Sequence, residues 1–90
     1  NPGSDVKNSL IASGSIINSK VEGSVIFKGV FIGSGCTIKN SIILGGAYIG
    51  DNVYVENCIV EKNETLLSNT SYIGRDEIKV VAEKNNRYSI

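Results

Sequence analysis

The sequence predicts an all-β chain wound as a parallel β-helix of triangular cross-section. Three observations lead there. Four short lines repeat nearly letter for letter: Asn8-Ser9-Leu10-Ile11, Gly23-Ser24-Val25-Ile26, Asn40-Ser41-Ile42-Ile43 and Asn57-Cys58-Ile59-Val60, with the serine or cysteine stepping by 15, 17 and 17 residues. A fixed period of this size means a stacked structural unit. Within each unit a small residue stands two places before an aliphatic one, as in Ser24/Ile26, Val30/Ile32 and Cys36/Ile38, and positions 26, 32, 38, 43, 49 and 55 advance by 6, 6, 5, 6 and 6. Residues i and i−2 of a strand face the same way, so each hexad gives a short strand with one small and one large inward side chain, then a corner. Finally, the step from third face to first is always five residues (6 to 11, 21 to 26, 38 to 43, 55 to 60), which makes one corner tighter than the others.

Taken in order, the first face carries inward residues Ile11, Ile26, Ile43 and Val60, the second Ile17, Ile32 and Ile49, and the third Val21, Ile38 and Val55. Three hexads close a coil of about 17 residues, and equivalent faces of successive coils pair as parallel strands roughly 4.8 Å apart. About four coils fit. The tight corner is occupied by Asn8, Gly23, Asn40 and Asn57. Asn and Gly tolerate positive φ at least cost, so these four are read as left-handed corner residues. After Val60 the repeat decays: Glu64/Leu66 is a poor hexad, Thr65 to Asn69 reads as a bulge, and Ser71/Ile73 resumes the pattern. The tail changes character. Glu77 to Glu83 reads as a strand, Lys84-Asn85-Asn86-Arg87 as a turn and Tyr88 to Ile90 as a short return, so residues 1–74 are expected to form the β-helix and 75–90 a strand or hairpin cap over its last edge.

The outward residues differ from face to face. The third face carries Lys20, Glu22, Thr37, Lys39, Tyr54 and Glu56 and should be wet. The first face carries Leu10, Val25, Phe27, Ile42, Leu44 and Ile59 outside as well as aliphatic residues inside. Strands apolar on both sides are covered on both sides, and a column of four rungs is not scattered surface. These six residues are the candidate interface.

Composition excludes several functions. Ninety residues make one domain; nine Lys and Arg balance nine Asp and Glu, which argues against nucleic acid or a charged membrane as partner. No apolar run approaches the ~18 residues of a membrane span, and no signal-like segment opens the chain. The chain has no Met and reads as a piece of a longer protein; Ser4/Val6 keeps the hexad register, so Gly3-Ser4 reads as native. Cys36 and Cys58 fall on inward small positions of different faces and are expected as unpaired apolar fillers, fitting a reducing, cytoplasmic setting. The sequons at Asn63 and Asn69 read as chance matches. No histidine is present, so neither the histidine base of hexapeptide acyltransferases nor a three-histidine zinc site is available. Gly33-Ser34-Gly35 and Gly45-Gly46 lack the Lys-Ser/Thr and helix of a phosphate loop, and their glycines read as corner residues instead. No catalytic residue, cofactor or metal site is expected.

The line from Val6 to Lys62 resembles the C-terminal domain of bacterial glucose-1-phosphate adenylyltransferases. Asn8 to Ile11, Val21 to Phe27, Gly29 to Gly33, Asn40 to Ile43 and Ile49-Gly50 carry the likeness, together with the spacing of 15 then 17. Cys58 to Lys62 and Lys79 to Lys84 look more like the D-type subunit of glycogen biosynthesis than the catalytic one. The resemblance implies a left-handed helix, since periodicity alone does not set the hand. It also implies a non-catalytic role in assembly and allosteric regulation, with the parent's own nucleotidyltransferase domain and neighbouring subunits as partners. As an isolated fragment the chain is expected to self-associate. The alternatives are a hexapeptide acyltransferase and an oligomerisation module of another sugar-nucleotide enzyme.

Overall fold

The structure, a computed structural model, describes residues 5–82. Coil one comprises β1 (Asp5–Lys7), β2 (Leu10–Ile11) and β3 (Ile16–Ile17). Coil two repeats it with β4 (Lys20–Glu22), β5 (Val25–Ile26) and β6 (Phe31–Ile32). Coil three has β7 (Thr37–Lys39), β8 (Ile42–Ile43) and β9 (Tyr48–Ile49). Coil four has β10 (Tyr54–Glu56), β11 (Cys58–Val60) and β12 (Thr65–Leu66), followed by β13 (Ser71–Ile73) and β14 (Lys79–Val81). No helix occurs among the described residues. Strands of equal rank pair in parallel to form three sheets, β1-β4-β7-β10-β13, β2-β5-β8-β11-β14 and β3-β6-β9-β12. The register joins Val21 to Ile38, Ile26 to Ile43 and Ile32 to Ile49, one coil apart each time.

Such short strands are stable only because every inward large residue stacks on its copy in the next coil. Ile32, Ile38, Ile43, Ile49, Val55 and Val60 are fully buried, as are Ile17, Val21 and Ile26 to within a few per cent. Ile11, expected in this group, is only half-buried, because it lies in the end coil and is covered from one side.

Corners turn through left-handed backbone. Asn8, Gly23, Asn40 and Asn57 have φ of 50°, 59°, 50° and 58°. Two further columns do the same at the other corners: Gly14, Gly29, Gly46 and Asn63, and Gly35, Asn52 and Asn69. Both repeat with the period already visible in the sequence; Gly35 and Gly46 are the corner glycines read there, and the same period is the signal for Asn52, Asn63 and Asn69. At Gly50 the requirement is space. A Cβ there would lie 2.8 Å from the backbone nitrogen of Ser68, in the coil above.

The structure corrects the reading of the last coil. Tyr72, not Ile73, is the register partner of Val55, so Thr70/Tyr72 is the true pair and Ile73 is exposed. Thr65 to Asn69 is no bulge: Leu66 pairs with Ile49, is fully buried, and stands six residues before Tyr72. The repeat therefore continues a coil further than its residue types advertise, with an aromatic ring at the end of the stack and Glu64 buried at a small-residue position. The tail strand is shorter than expected, Lys79–Val81. It runs parallel to β11, adding a fifth rung to the first face, with Val81 buried beside Val60. Nine residues separate Tyr72 from Val81 where other coils use five, so this rung arrives by a longer loop. The turn and return expected over 84–90 lie outside the described residues.

Because Asn40 sits at φ 50°, Asn40→Val should cost on the order of 1–2 kcal/mol, whereas Asn40→Gly should stay within about half a kcal/mol of wild type. Urea unfolding of the two variants decides; equal midpoints would remove the corner from the account.

Candidate functional site

Polar side chains inside the prism are the first place to look for chemistry. The small inward positions of the first face form a ladder instead. The Ser9 hydroxyl accepts the Ser24 N–H at 3.0 Å, Ser24 accepts that of Ser41 at 3.0 Å, and Ser41 accepts that of Cys58 at 3.1 Å. Each hydroxyl also donates to the carbonyl two residues back, Lys7, Glu22 and Lys39 respectively. On the third face Ser19 donates to the Gly33 carbonyl and accepts the Cys36 N–H, and the Cys36 sulfur accepts that of Val53 at 3.5 Å. The small residues thus satisfy backbone donors that the corners leave without a strand partner.

The two thiols belong to this ladder, which revises their reading as apolar fillers. The Cys36 thiol donates to the Gly50 carbonyl at 2.9 Å, and the Cys58 thiol to Glu56 and Tyr72 carbonyls at 3.2 and 3.3 Å. Both cysteines are unpaired and buried, and burial pushes the Cys58 thiol above its ordinary pKa. A buried, neutral thiol is a poor nucleophile. No group of three or more Cys, Asp or Glu among the described residues could hold a metal ion.

Outside, the third face is charged. Lys7, Glu22, Lys39 and Glu56 stand in register on successive rungs, an alternating ladder along the edge beside the tight corner. A shallow cavity of about 370 Å³ opens among Lys7, Lys20, Glu22, Thr37, Lys39 and Tyr54. The Tyr54 hydroxyl donates to the Glu56 carboxylate at 2.7 Å, and this bond raises the tyrosine's pKa. Nothing here pairs a nucleophile with a base.

The first face carries the feature without an internal explanation. Leu10, Val25, Ile42 and Ile59 occupy one outward column, rung upon rung. Val80 extends it by a fifth rung, a residue that sequence reasoning missed because β14 enters out of period. Phe27 and Leu44 lie in the adjacent column, following Ile26 and Ile43 in the chain. Leu10 is 68 % exposed, Val80 55 %, Phe27 45 % and Ile42 37 %, while Val25, Leu44 and Ile59 are half-buried by their neighbours. A small cavity of about 120 Å³ is lined by Leu10, Ala12, Val25, Ile26 and Phe27. The second face is apolar in part as well: Ile16, Phe31 and Tyr48 share a column, with the two rings stacked at 4.9 Å. No helix of the described residues is long and apolar enough to cross a membrane.

Coils of hexads, left-handed corners and three parallel sheets define a hexapeptide-repeat scaffold. The chain belongs to the family described as "GlmU-like, C-terminal hexapeptide", whose model matches residues 2–88, and its fold is the left-handed parallel β-helix of hexapeptide repeats. It is also similar to two proteins of Clostridium perfringens, strains SM101 / Type A and 13 / Type A, each named glucose-1-phosphate adenylyltransferase. Both are 44 % identical over 36 residues, a stretch that covers 40 % of this chain and 9 % of each relative.

If the inner ladder carries stability, Ser41→Ala should leave the Cys58 N–H buried without an acceptor and cost about 1–3 kcal/mol, while Ser41→Cys should cost less, since Cys36 already fills such a position. Urea unfolding of both variants measures this; an alanine variant as stable as wild type would contradict it.

Proposed function

We propose that the chain is the non-catalytic C-terminal domain of a glucose-1-phosphate adenylyltransferase subunit, serving assembly and allosteric regulation in glycogen synthesis. The observation that carries this reading is the apolar column of the first face, from Leu10 to Val80, which the other described residues leave partly exposed. Apolar surface in a continuous stripe is stabilising only when something covers it. In the parent protein the covering surface would be its own nucleotidyltransferase domain or a neighbouring subunit. The stretch shared with the two Clostridium perfringens proteins supports the choice of activity, and the residues from Cys58 to Lys62 and Lys79 to Lys84 favour the D-type subunit. Unpaired buried thiols fit a cytoplasmic setting. A second reading, an assembly module of another sugar-nucleotide enzyme, is favoured by the breadth of the family match. An acyltransferase is disfavoured because no histidine is present to act as base.

Regulation follows from position under this reading. A rigid prism clamped against a catalytic unit can pass a shift at one contact to another, provided an effector binds the two arrangements unequally.

Two outcomes are expected. Incubated with ATP and glucose 1-phosphate, the purified chain should release no pyrophosphate and form no ADP-glucose; turnover that persists through repurification would overturn the non-catalytic assignment. In the full-length protein, Ile42→Lys should lower the oligomeric state seen by sedimentation or detach the domain in limited proteolysis. The fold should persist, because residue 42 points outward. Unchanged assembly and unchanged protease resistance would mean that the column is not the contact.

A further inference from the structure

We propose that the chain holds a phosphate group, as inorganic phosphate or as the phosphate of a small ester, in a notch that its shortened first coil leaves at the corner between the second and third faces. The site is built from this chain alone and does not depend on which enzyme carries it.

The notch begins in the sequence. The first repeat step is 15 residues where the next two are 17. The structure places the two missing residues at one corner. Only Asn18 and Ser19 join β3 to β4, whereas four residues, Gly33 to Cys36, join β6 to β7, and four, Gly50 to Val53, join β9 to β10. Hydrogen bonds align these corners residue by residue. Asn18 and Gly33 match, since their N–H groups donate to the carbonyls of Ile32 and Ile49. Ser19 matches Cys36, whose N–H its hydroxyl accepts at 2.8 Å. Ser34 and Gly35 therefore have no counterpart in the corner before them and overhang it.

The overhang strips a backbone donor of its usual partner. At the later corners the Asn52 N–H donates to the Ser34 carbonyl and the Asn69 N–H to the Asp51 carbonyl, both at 2.9 Å. Gly35 holds the same place in the column of left-handed residues, with φ of 75°. The carbonyl it would use belongs to a residue that the shorter corner omits. Its neighbours are taken: the Asp51 carboxylate accepts the Ser34 N–H at 3.0 Å, and Ser19 accepts that of Cys36. The Gly35 N–H has no acceptor among the described residues.

The space beside it is lined by further donors. A recess of about 260 Å³ is bounded by Ser19, Lys20, Gly35, Cys36 and Thr37. Among the described residues neither the Thr37 hydroxyl nor the Lys20 ammonium has a hydrogen-bond or ion-pair partner. A peptide N–H, a hydroxyl and an ammonium thus border one recess. Phosphate brings three strong acceptor oxygens and close to two negative charges, and turn N–H groups with a lysine beside them make anion-binding concavities. A carboxylate, with two oxygens and one charge, would leave a donor unused. The recess meets the larger cavity at Lys20 and Thr37, which leaves room for the rest of an ester beside Lys7, Lys39 and Tyr54. Three lysines line the two cavities against one acid among the described residues, Glu22. The balanced charge of the whole chain hides this local excess.

The test is a titration of the purified, isotope-labelled chain with inorganic phosphate, followed by amide NMR. The Gly35 amide should move downfield and saturate with a Kd on the order of 1 mM, as suits an open site. Potassium chloride at matched ionic strength should leave it in place. Lys20→Gln should weaken binding roughly tenfold and Thr37→Val about threefold, while Lys28→Gln, at another corner, should not change it. Inserting Ser-Gly between Asn18 and Ser19 restores the 17-residue step and supplies the missing carbonyl. That variant should lose phosphate binding with every lysine still present. Far-UV spectra confirm that it keeps the β-helix; if it does not, the Lys20 and Thr37 variants decide. Glycerol 1-phosphate binding severalfold tighter than phosphate supports an ester as the ligand, and no tighter binding supports the free ion. A Gly35 amide that phosphate does not move, or that chloride moves as far, overturns the proposal. So does a folded insertion variant, or a Lys20→Gln variant, that binds phosphate as well as wild type.

Discussion

Everything in this molecule hangs on a turn made by one residue. Between the outward Lys39 of the third face and the inward Ser41 of the first stands Asn40 alone, at φ 50°. A single residue can reverse facing and change direction together only by entering the left-handed region, which ordinary L residues avoid at a cost of 1–2 kcal/mol or so. Asn8, Gly23 and Asn57 repeat the device, and the other two corners use Gly or Asn in the same way. Once the corners hold, inside and outside are settled on all three faces. The one-residue register slips that trouble flat sheets would here break every corner at once.

The corners also create a demand that the interior must meet. Residues just past a tight corner point their N–H groups into the prism, toward the neighbouring coil. A serine hydroxyl in that coil accepts them, and each such hydroxyl donates back across the corner to the last residue of the preceding strand. This explains why the inner column of the first face reads Ser, Ser, Ser, Cys rather than Ala or Val. The buried polar groups are thus absorbed by architecture, and the outer surfaces are left to carry function. Of these, the third face resembles an ordinary solvated sheet with alternating charge, whereas the first offers apolar residues that the other described residues leave partly exposed.

Legibility in the sequence tracked how many copies of a feature the chain holds. The four near-identical lines make the fold class, the tight corner and the outward placement of the first face's apolar residues readable, because each is seen several times in one register. Single departures were not readable. Tyr72 replaces an aliphatic residue once, at the end of the stack where a larger ring has room, and the neighbouring Ile73 looked the better fit. Val80 reaches the first face only through hydrogen bonds between β14 and β11, and a four-residue lengthening of the preceding loop hides it from any period. The corner columns at 14, 29, 46 and 63 and at 35, 52 and 69 were periodic and visible in principle. Their glycines in Gly33-Ser34-Gly35 and Gly45-Gly46 read as corner residues, whereas the asparagines Asn52, Asn63 and Asn69 look like ordinary loop composition.

The central claim is that one alternation, set by the corners, places the apolar column outside and the aliphatic stack inside. Single-cysteine accessibility tests it most directly, with Cys36 and Cys58 as buried references. Cysteine is placed in turn at Val25, Ile26, Ile42 and Ile43, and labelling by a small maleimide under native conditions is timed at concentrations low enough to keep the chain monomeric. The account predicts fast labelling at 25 and 42, and labelling at 26 and 43 only as fast as the chain unfolds. Fast labelling at 26 and 43 with protection at 25 and 42 would contradict it.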